Sequence, residues 1–394
     1  AFLQDLNATY TRNSEKRVVQ DGALVTLAAN QFGTSYDPVT GLYGYMPEPA
    51  ATNLALHSSS YSTPNAWDLA TSTVVSATGT APDGTATATL MSDNQGGTTV
   101  HYLGRSVSYT SGTSYSLSWF FRAGSGSSYV MLSLPATAFP ATARRAIFNL
   151  ATGSVHAVDS GVGAIITHVG GGWYRCAISA TANATASGLA AFAFSPTGAY
   201  TESYNGTGAN TLYAWGAQVE TGLRATSYIA TTGSTATRAA DADTVLLSAI
   251  PGYVATGYTL AVDFRVDAAS GADRTLVSVD DGTASNSARI MLPSGGGITT
   301  AVTVGGVDQT SINEGSVSTS RIRAAFSCSA NSFLRAVNGV AGTADTSGSM
   351  IVAPTHLRIG CRYDNTQQAN CYEYRVGIFP RALTQAQINA WTTL

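Results

Sequence analysis

Lysine is almost missing from this chain of 394 residues, with Lys16 its single instance. Charged residues of both signs reach only 11%, against about a quarter in ordinary globular proteins. The formal net charge is −3, and the arginines are scattered singly. A footprint of clustered basic residues, which nucleic-acid binding needs, is therefore absent. No run of about 18 apolar residues occurs, so no helix is expected to insert in a membrane. The opening AFLQDLNATY has no basic stretch followed by an apolar one, so no signal peptide is expected. The four cysteines, Cys176, Cys328, Cys361 and Cys371, show no CxxC and no zinc-type Cys/His spacing. Cys361 and Cys371 flank a turn-like segment and could pair across neighbouring strands, whereas Cys176 alternates with Tyr174 and Ile178 as a small buried hydrophobe.

Catalytic constellations are equally scarce. There are six glutamates, and neither Glu220 nor Glu373 has a second acid at an alternate strand position, so the paired carboxylates of a glycosidase are missing. Glu373 reads as a strand carboxylate paired with an arginine such as Arg375 or Arg358. A degraded GxSxG at Gly124-Ser125-Gly126 falls in a loop rather than at a strand-to-helix elbow. His101 reads as a core-edge residue. The glycine runs at Gly170 and Gly295 lack the helix and lysine of a phosphate-binding loop. No enzyme activity is expected.

What remains is rich in strand and turn formers. Hydrophobic residues make up 44%, with 40 glycines, 19 tyrosines, 12 phenylalanines and 5 tryptophans. Disordered chains are charged and poor in aromatics; this one is neither. Many short strands joined by glycine turns imply an all-β chain of two antiparallel jelly-roll or β-sandwich domains. Residues 1–50 read as a β lead-in, with a hairpin around Asp21-Gly22 and a turn at Asp37. Residues 51–238 read as the first sandwich. There Tyr115, Leu117, Trp119 and Phe121 share one face of a strand, while Ser116, Ser118, Phe120 and Arg122 share the other. Val130, Leu132 and Leu134 likewise oppose Tyr129, Met131 and Ser133, and Tyr174, Cys176 and Ile178 oppose Trp173 and Arg175. Tyr213 and Trp215 alternate with Ala217 and Val219 and read as core. Residues 239–394 read as the second sandwich, ending in a short helix after an N-cap at Thr384. No repeat of fixed 20–50-residue period suggests a solenoid.

Five segments in order, PEPAATNLALHSS from Pro47, Trp67, TAPDGTATAT from Thr80, GGGWYRCAIS from Gly170 and LYAWGAQVETGLRATSYIATTGSTATRAAD from Leu212, resemble bacteriophage virion proteins of the fibre and spike (adhesion) class. The resemblance spans roughly residues 9–241 and implies a jelly roll like that of carbohydrate-binding modules. The closing CYEYRVGIFPRALTQAQINAW resembles the end of laminin-G/concanavalin-A-like lectin domains. These resemblances imply a virion-surface protein made in the host cytoplasm. Its expected partners are host surface polysaccharide (capsule or lipopolysaccharide) and other virion proteins, and a homotrimer is expected by analogy.

A glycan site needs outward aromatic rings beside polar donors on a rigid sheet. Stacking a sugar face removes apolar area from water at roughly 25 cal/mol per Å². Phe120, Arg122, Tyr129, Trp173 and Arg175 are the first candidates. The plainer reading is that this face is covered by residues 1–50 or by a neighbouring subunit. Trp67 and the glycine-rich loop bearing Tyr200, Tyr204, Asn205 and Asn210 come second, with an exposed turn the plainer reading of that loop. A neutral, hydroxyl-rich surface suits uncharged or weakly charged glycans. No cofactor is expected, although Asp280-Asp281-Gly282 and Tyr363-Asp364-Asn365 could offer oxygens to calcium, with Asp-rich turns the plainer reading. Two other classes stay open: a structural capsid or tail decoration whose faces are all buried, and a polysaccharide-degrading enzyme.

Overall fold

The structure is a computed structural model, and it describes residues 8–61, 67–69, 74–94, 98–200, 203–267 and 271–394. The chain is all-β, with antiparallel strands throughout and one α-helix, Gln385–Thr392, among the described residues. It divides into two compact units. The N-terminal sandwich comprises 16–26 and 51–238; the C-terminal sandwich comprises the described residues up to 15, with 27–50 and 239–394. Of the expected lead-in 1–50, the described residues from 8 on are thus shared out between the two sandwiches. The Asp21-Gly22 turn forms as its sequence requires: φ is 48° and 74° at these two residues, the left-handed pair of a tight hairpin. It joins Lys16–Gln20 to Ala23–Leu27.

The N-terminal sandwich packs two six-stranded sheets. The first sheet runs Gly163–Gly170, Trp173–Thr181, Ser114–Ala123, Thr211–Thr221, Ala88–Ser92, Val74–Gly79. The second runs Ser154–Val158, Arg145–Asn149, Tyr129–Ser133, Ala186–Phe194, Tyr102–Tyr109, Asp68–Leu69. The alternation read from sequence sets the core. Tyr115, Leu117, Trp119 and Phe121 meet Val130, Leu132, Phe148, Phe192, Cys176 and Ile178 between the sheets. Trp119 donates its indole N–H to the Tyr61 hydroxyl at 2.8 Å, so this large ring is buried without losing a hydrogen bond.

Tyr213 and Trp215 correct the expected pattern. Leu212 and Ala214 are in the core, and so are Ala217 and Val219. The parity changes because the register with Ser114–Ala123 shifts between Ser118 and Phe120, and Gly216 takes φ +68°. A bulge adds a residue and turns every later side chain to the other face. Tyr213 and Trp215 therefore sit on the outer face. A Cβ at 216 would lie 2.8 Å from the Phe120 ring, which leaves room for glycine alone.

One buried asparagine stitches this sandwich together. Asn53 donates to the carbonyls of Ala217 and Ile229 and accepts from the N–H groups of Ala55 and Val219. All four bonds of its amide are made, with no exposure to water. Ser58 Oγ meets Tyr228 Oη at 2.6 Å and accepts from Thr231 N at 2.9 Å. Gln218 accepts from Ile229 N at 2.7 Å, and Glu220 accepts from the backbone N–H and hydroxyl of Thr226. Two of the segments that carry the sequence resemblance, those around Asn53 and from Leu212, are thus used for internal bonding.

The C-terminal sandwich packs a seven-stranded sheet on a five-stranded one. Val245, Leu260, Val262, Phe264, Leu276, Val277, Val279 and Leu357 fill its interior. On the outer face of the five-stranded sheet, Ala261, Ala325 and Ala336 lie in cross-strand register. Their small side chains let the terminal helix seat Leu383 and Ile388 directly on the sheet. Thr384 caps that helix with a full capping box to Gln387. Four of the unit's acids pair with arginines: Asp37 with Arg265, Asp263 with Arg321 and Arg323, Asp280 with Arg358, and Asp241 with Arg12. All four cysteines are buried and none is in a disulfide, so the expected option of a Cys361–Cys371 pair is not realised.

Candidate functional site

Most of the aromatic residues expected to face a ligand do not reach the surface. Phe120 does point outward from the first sheet, opposite the core residue Phe121. Yet it is 1% exposed, because Trp215 and Tyr228 close over it edge-on at 5.4 and 5.9 Å. Arg17, from the first hairpin strand, donates to the Tyr228 carbonyl and lies over its ring. Arg175 is spent in the same cover, donating to Thr226 O at 2.6 Å and Ser118 Oγ at 2.8 Å. The cover thus comes from this unit's own segment around Tyr228 together with the hairpin. Trp67 is 3% exposed; it packs against Tyr61 and Trp119 and donates to the His57 carbonyl.

Trp173 is also 3% exposed. The Arg122 guanidinium covers it at 5.3 Å from the ring centre and lies 4.3 Å from that of Tyr213. Beside this stack opens a groove of about 480 Å³, walled by the hairpin residues 22–26, by 80–84, and by Gly170 and Gly171. The hairpin approaches closely at one point: a Cβ on Gly170 would lie 1.7 Å from Gly22 O. Trp173 therefore contributes to the wall as a support for Arg122 and has no free face to offer a sugar.

Tyr129 is the expected site aromatic that stays partly open on a sheet face. On the outer side of the second sheet, Tyr102, Ala193, Met131, Ile147 and Ala157 stand in one cross-strand row. Met131 and Ile147 are fully buried, although they face away from the sandwich core. What buries them is a layer of rings: Tyr102, Tyr129 and Tyr200 pack on this row. Exposed His156 lies 4.7 Å from Tyr129, centre to centre. Polar groups edge the rings. Arg145 lies over Tyr200 at 4.5 Å and donates to Asp159 at 3.2 Å. The Tyr102 hydroxyl donates to Asp68 at 3.3 Å. Partial burial, with Asp159 nearby, raises the Tyr200 phenol above its ordinary pKa. This is a half-exposed aromatic layer on a rigid sheet, flanked by hydrogen-bonding groups. Sequence parity placed Tyr129 here. Tyr200 was expected as part of the glycine-rich loop with Tyr204, whereas Tyr102 and His156 were missed, because the pairing of distant strands brings them beside Tyr129.

No family model matches the chain, and no curated protein matches it. Solved structures give distant likenesses to parts of it. One is "Ruminococcus gnavus IT-sialidase CBM40", at 14% identity and TM-score 0.28, covering 35% of this chain and 84% of that one. A heptameric SAP-like pentraxin from Limulus polyphemus has 12% identity and TM-score 0.28, covering 34% and 69%. The botulinum neurotoxin serotype D binding domain has 12% identity and TM-score 0.31, covering 38% and 40%.

The remaining candidates are tied into local structure. Tyr204 packs on His101 at 4.2 Å, and its hydroxyl donates to Asp93 at 3.1 Å. Burial, with Asp93 nearby, raises that phenol. Asn205 is exposed next to it. At the two Asp-bearing turns that could offer oxygens to calcium, Asp280 accepts from Arg358 at 3.0 Å, and the same guanidinium donates to Asn365. An arginine thus links the two loops. Asp281 and Asp364 bond their own turns through Thr283 and Thr366. Among the described residues no group of three or more His, Cys, Asp or Glu could hold a metal ion. Glu373 corrects its expected pairing. It is 4% exposed and has neither an ion pair nor a side-chain hydrogen bond among the described residues. Burial, with Asp243 nearby, pushes its carboxyl well above the usual range.

Proposed function

We propose that this chain is a non-catalytic adhesion subunit of a bacteriophage virion that binds host surface polysaccharide through the Tyr129 face. The observation that carries the reading is the layer of Tyr102, Tyr129, His156 and Tyr200 over the Met131–Ile147 row. Flat rings match the C–H faces of pyranoses, and the Arg145, Asp159 and Asp68 groups at the edge suit hydroxyls. Each such bond is a modest net gain, since water is displaced. Single-site affinity is therefore weak, and copies on a fibre or spike raise it through effective concentration. A homotrimer at the virion surface, made in the host cytoplasm and joined to other virion proteins, is the arrangement that fits the sequence resemblance. The absence of catalysis is supported by the state of the strand acids: Glu220 is committed to Thr226, and Glu373 is enclosed. Binding needs no cofactor, so chelation of calcium is expected to leave it unchanged.

A structural decoration subunit is the second reading, favoured by the burial of Phe120, Trp67 and Trp173. The test is a bacterial glycan array probed with the wild type and with Tyr129→Ala/His156→Ala. Binding to capsule or lipopolysaccharide glycans, lost in the variant, supports adhesion through this face. Binding that survives the variant moves the site elsewhere. No glycan bound by folded protein supports the structural role. Reducing-end release from a bound polysaccharide would overturn the non-catalytic reading.

A further inference from the structure

Arg122 differs from four other arginines of its sandwich. Arg17, Arg144, Arg145 and Arg175 each donate to a carbonyl, hydroxyl or carboxylate oxygen. Arg122 is half-buried, yet among the described residues it has no hydrogen bond and no ion pair. Its contacts are the rings of Tyr213 and Trp173, which hold the guanidinium at the wall of the groove. Gly172 lies beside its stem, where a Cβ would meet Arg122 Cγ and Cδ in ordinary contact at 3.6 Å.

A guanidinium in this state lacks part of its hydration and has no replacement acceptor. Its fork of N–H groups matches a carboxylate in two parallel bonds, which are stronger than bonds to neutral hydroxyls. Two supporting rings restrict its position, so less freedom is lost when an anion docks. The groove's other charged residue is Asp83. One of its oxygens is taken by the backbone and hydroxyl of Thr85, and it makes no ion pair with Arg122. A single cation with one acid across the groove does not suit a polyanion track. It suits one carboxylate on an otherwise hydroxylated ligand, whose hydroxyls can meet Asp83, Thr26 and Thr80.

We propose that this groove is a second saccharide site, separate from the Tyr129 face, and that it takes an acidic sugar whose carboxylate is received by Arg122. It rests on Arg122 and the groove, so it can hold even where the Tyr129 reading fails.

The experiment titrates the intact protein with the methyl glycosides of glucuronic, galacturonic and N-acetylneuraminic acids. Each is paired with its methyl ester, which keeps the shape and removes the charge. Tryptophan fluorescence and the Arg122 Nε–H resonance report binding, the resonance being assigned by its loss in Arg122→Gln. At least one acid is expected to shift the Arg122 resonance and saturate, while its ester does not. Arg122→Lys keeps the charge without the fork and should weaken binding roughly tenfold or more; Arg122→Gln should abolish it. Tyr129→Ala should leave this binding intact. Near-UV circular dichroism of the variants confirms that they are folded. The proposal is overturned by three results: no acid perturbs Arg122, acid and ester bind alike, or acid binding persists in folded Arg122→Gln.

Discussion

Arg265 holds Asp37 through two parallel hydrogen bonds, Nε to Oδ2 at 2.5 Å and Nη2 to Oδ1 at 2.8 Å, with both side chains nearly free of solvent. Asp37 also accepts from the Tyr374 hydroxyl. Removing one partner of such a pair strands the other charge, which costs about 3–5 kcal/mol. Asp37→Ala should therefore shift the unfolding transition of the C-terminal sandwich to clearly lower urea. Asp37→Ala/Arg265→Met, which removes both charges, should recover much of that loss. A loss below about 1 kcal/mol in the single variant would mean the pair is solvated in solution.

Glu373 makes the C-terminal sandwich sensitive to alkali. Its folded pKa is raised, first by burial and then by Asp243. Tyr45, Cys361 and Asp241 are further titratable groups of this neighbourhood. In the unfolded chain the carboxyl ionises near pH 4.3. Above that pH the folded state binds more protons than the unfolded state, so stability falls as pH rises until the folded pKa is passed. The slope for one such group is about 1.4 kcal/mol per pH unit. Glu373→Gln should flatten this dependence and stabilise the protein at neutral pH. Urea midpoints measured from about pH 4 to pH 8 decide it; a midpoint for wild type that rises across that range would contradict the assignment.

Three glycines should respond in a fixed order. Gly170→Ala places a Cβ 1.7 Å from Gly22 O, Gly216→Ala places one 2.8 Å from the Phe120 ring, and Gly84→Ala meets nothing within 4 Å. All three have positive φ, which alone costs about 1–2 kcal/mol for alanine. Melting temperatures should fall most for Gly170→Ala, then Gly216→Ala, and least for Gly84→Ala. Equal shifts would mean that backbone conformation, not crowding, sets the cost.

The thiols should be silent in the native protein. Burial raises Cys176 and Cys328 well above the ordinary range and pushes Cys361 up to about 12. The thiolate is the reactive form. A thiol reagent at pH 8 should find none of the four before denaturation and all four after it. Rapid labelling of folded protein would show that one of these sites opens.

Parity along single strands was legible in the sequence, and so were the turns. Tyr115 to Phe121 alternate as expected, Asp21-Gly22 turns, and Thr384 caps its helix. Failure began where a feature depended on residues distant in the chain. Phe120 points outward as its parity requires, but its burial depends on Tyr228. Trp215 changed faces at a one-residue bulge, which local alternation cannot reveal. Glu373 lost its expected arginine because Arg358 bonds Asp280 instead. At the candidate site Tyr129 was legible from its own strand and Tyr200 from its glycine-rich loop, whereas His156 and Tyr102 join them through the pairing of distant strands. Arg122 was singled out as a donor beside a stacking ring, and the structure reverses the geometry by placing the guanidinium over the ring itself.

The amide of Asn53 has no valence left for a ligand, and the strands it joins hold the ends of the N-terminal sandwich in place. A motif built around it therefore reports how the chain closes on itself and says little about what it recognises. Two chains could share the ATNLAL and VETGLRATSYI segments and still recognise unrelated molecules, because neither segment belongs to the Tyr129 face or lines the Arg122 groove. Recognition is free to diverge on those surfaces while the stitch stays the same. Engineering for a new ligand should accordingly leave Asn53, Ser58, Gln218 and Glu220 untouched and vary the ring layer and the hairpin edge.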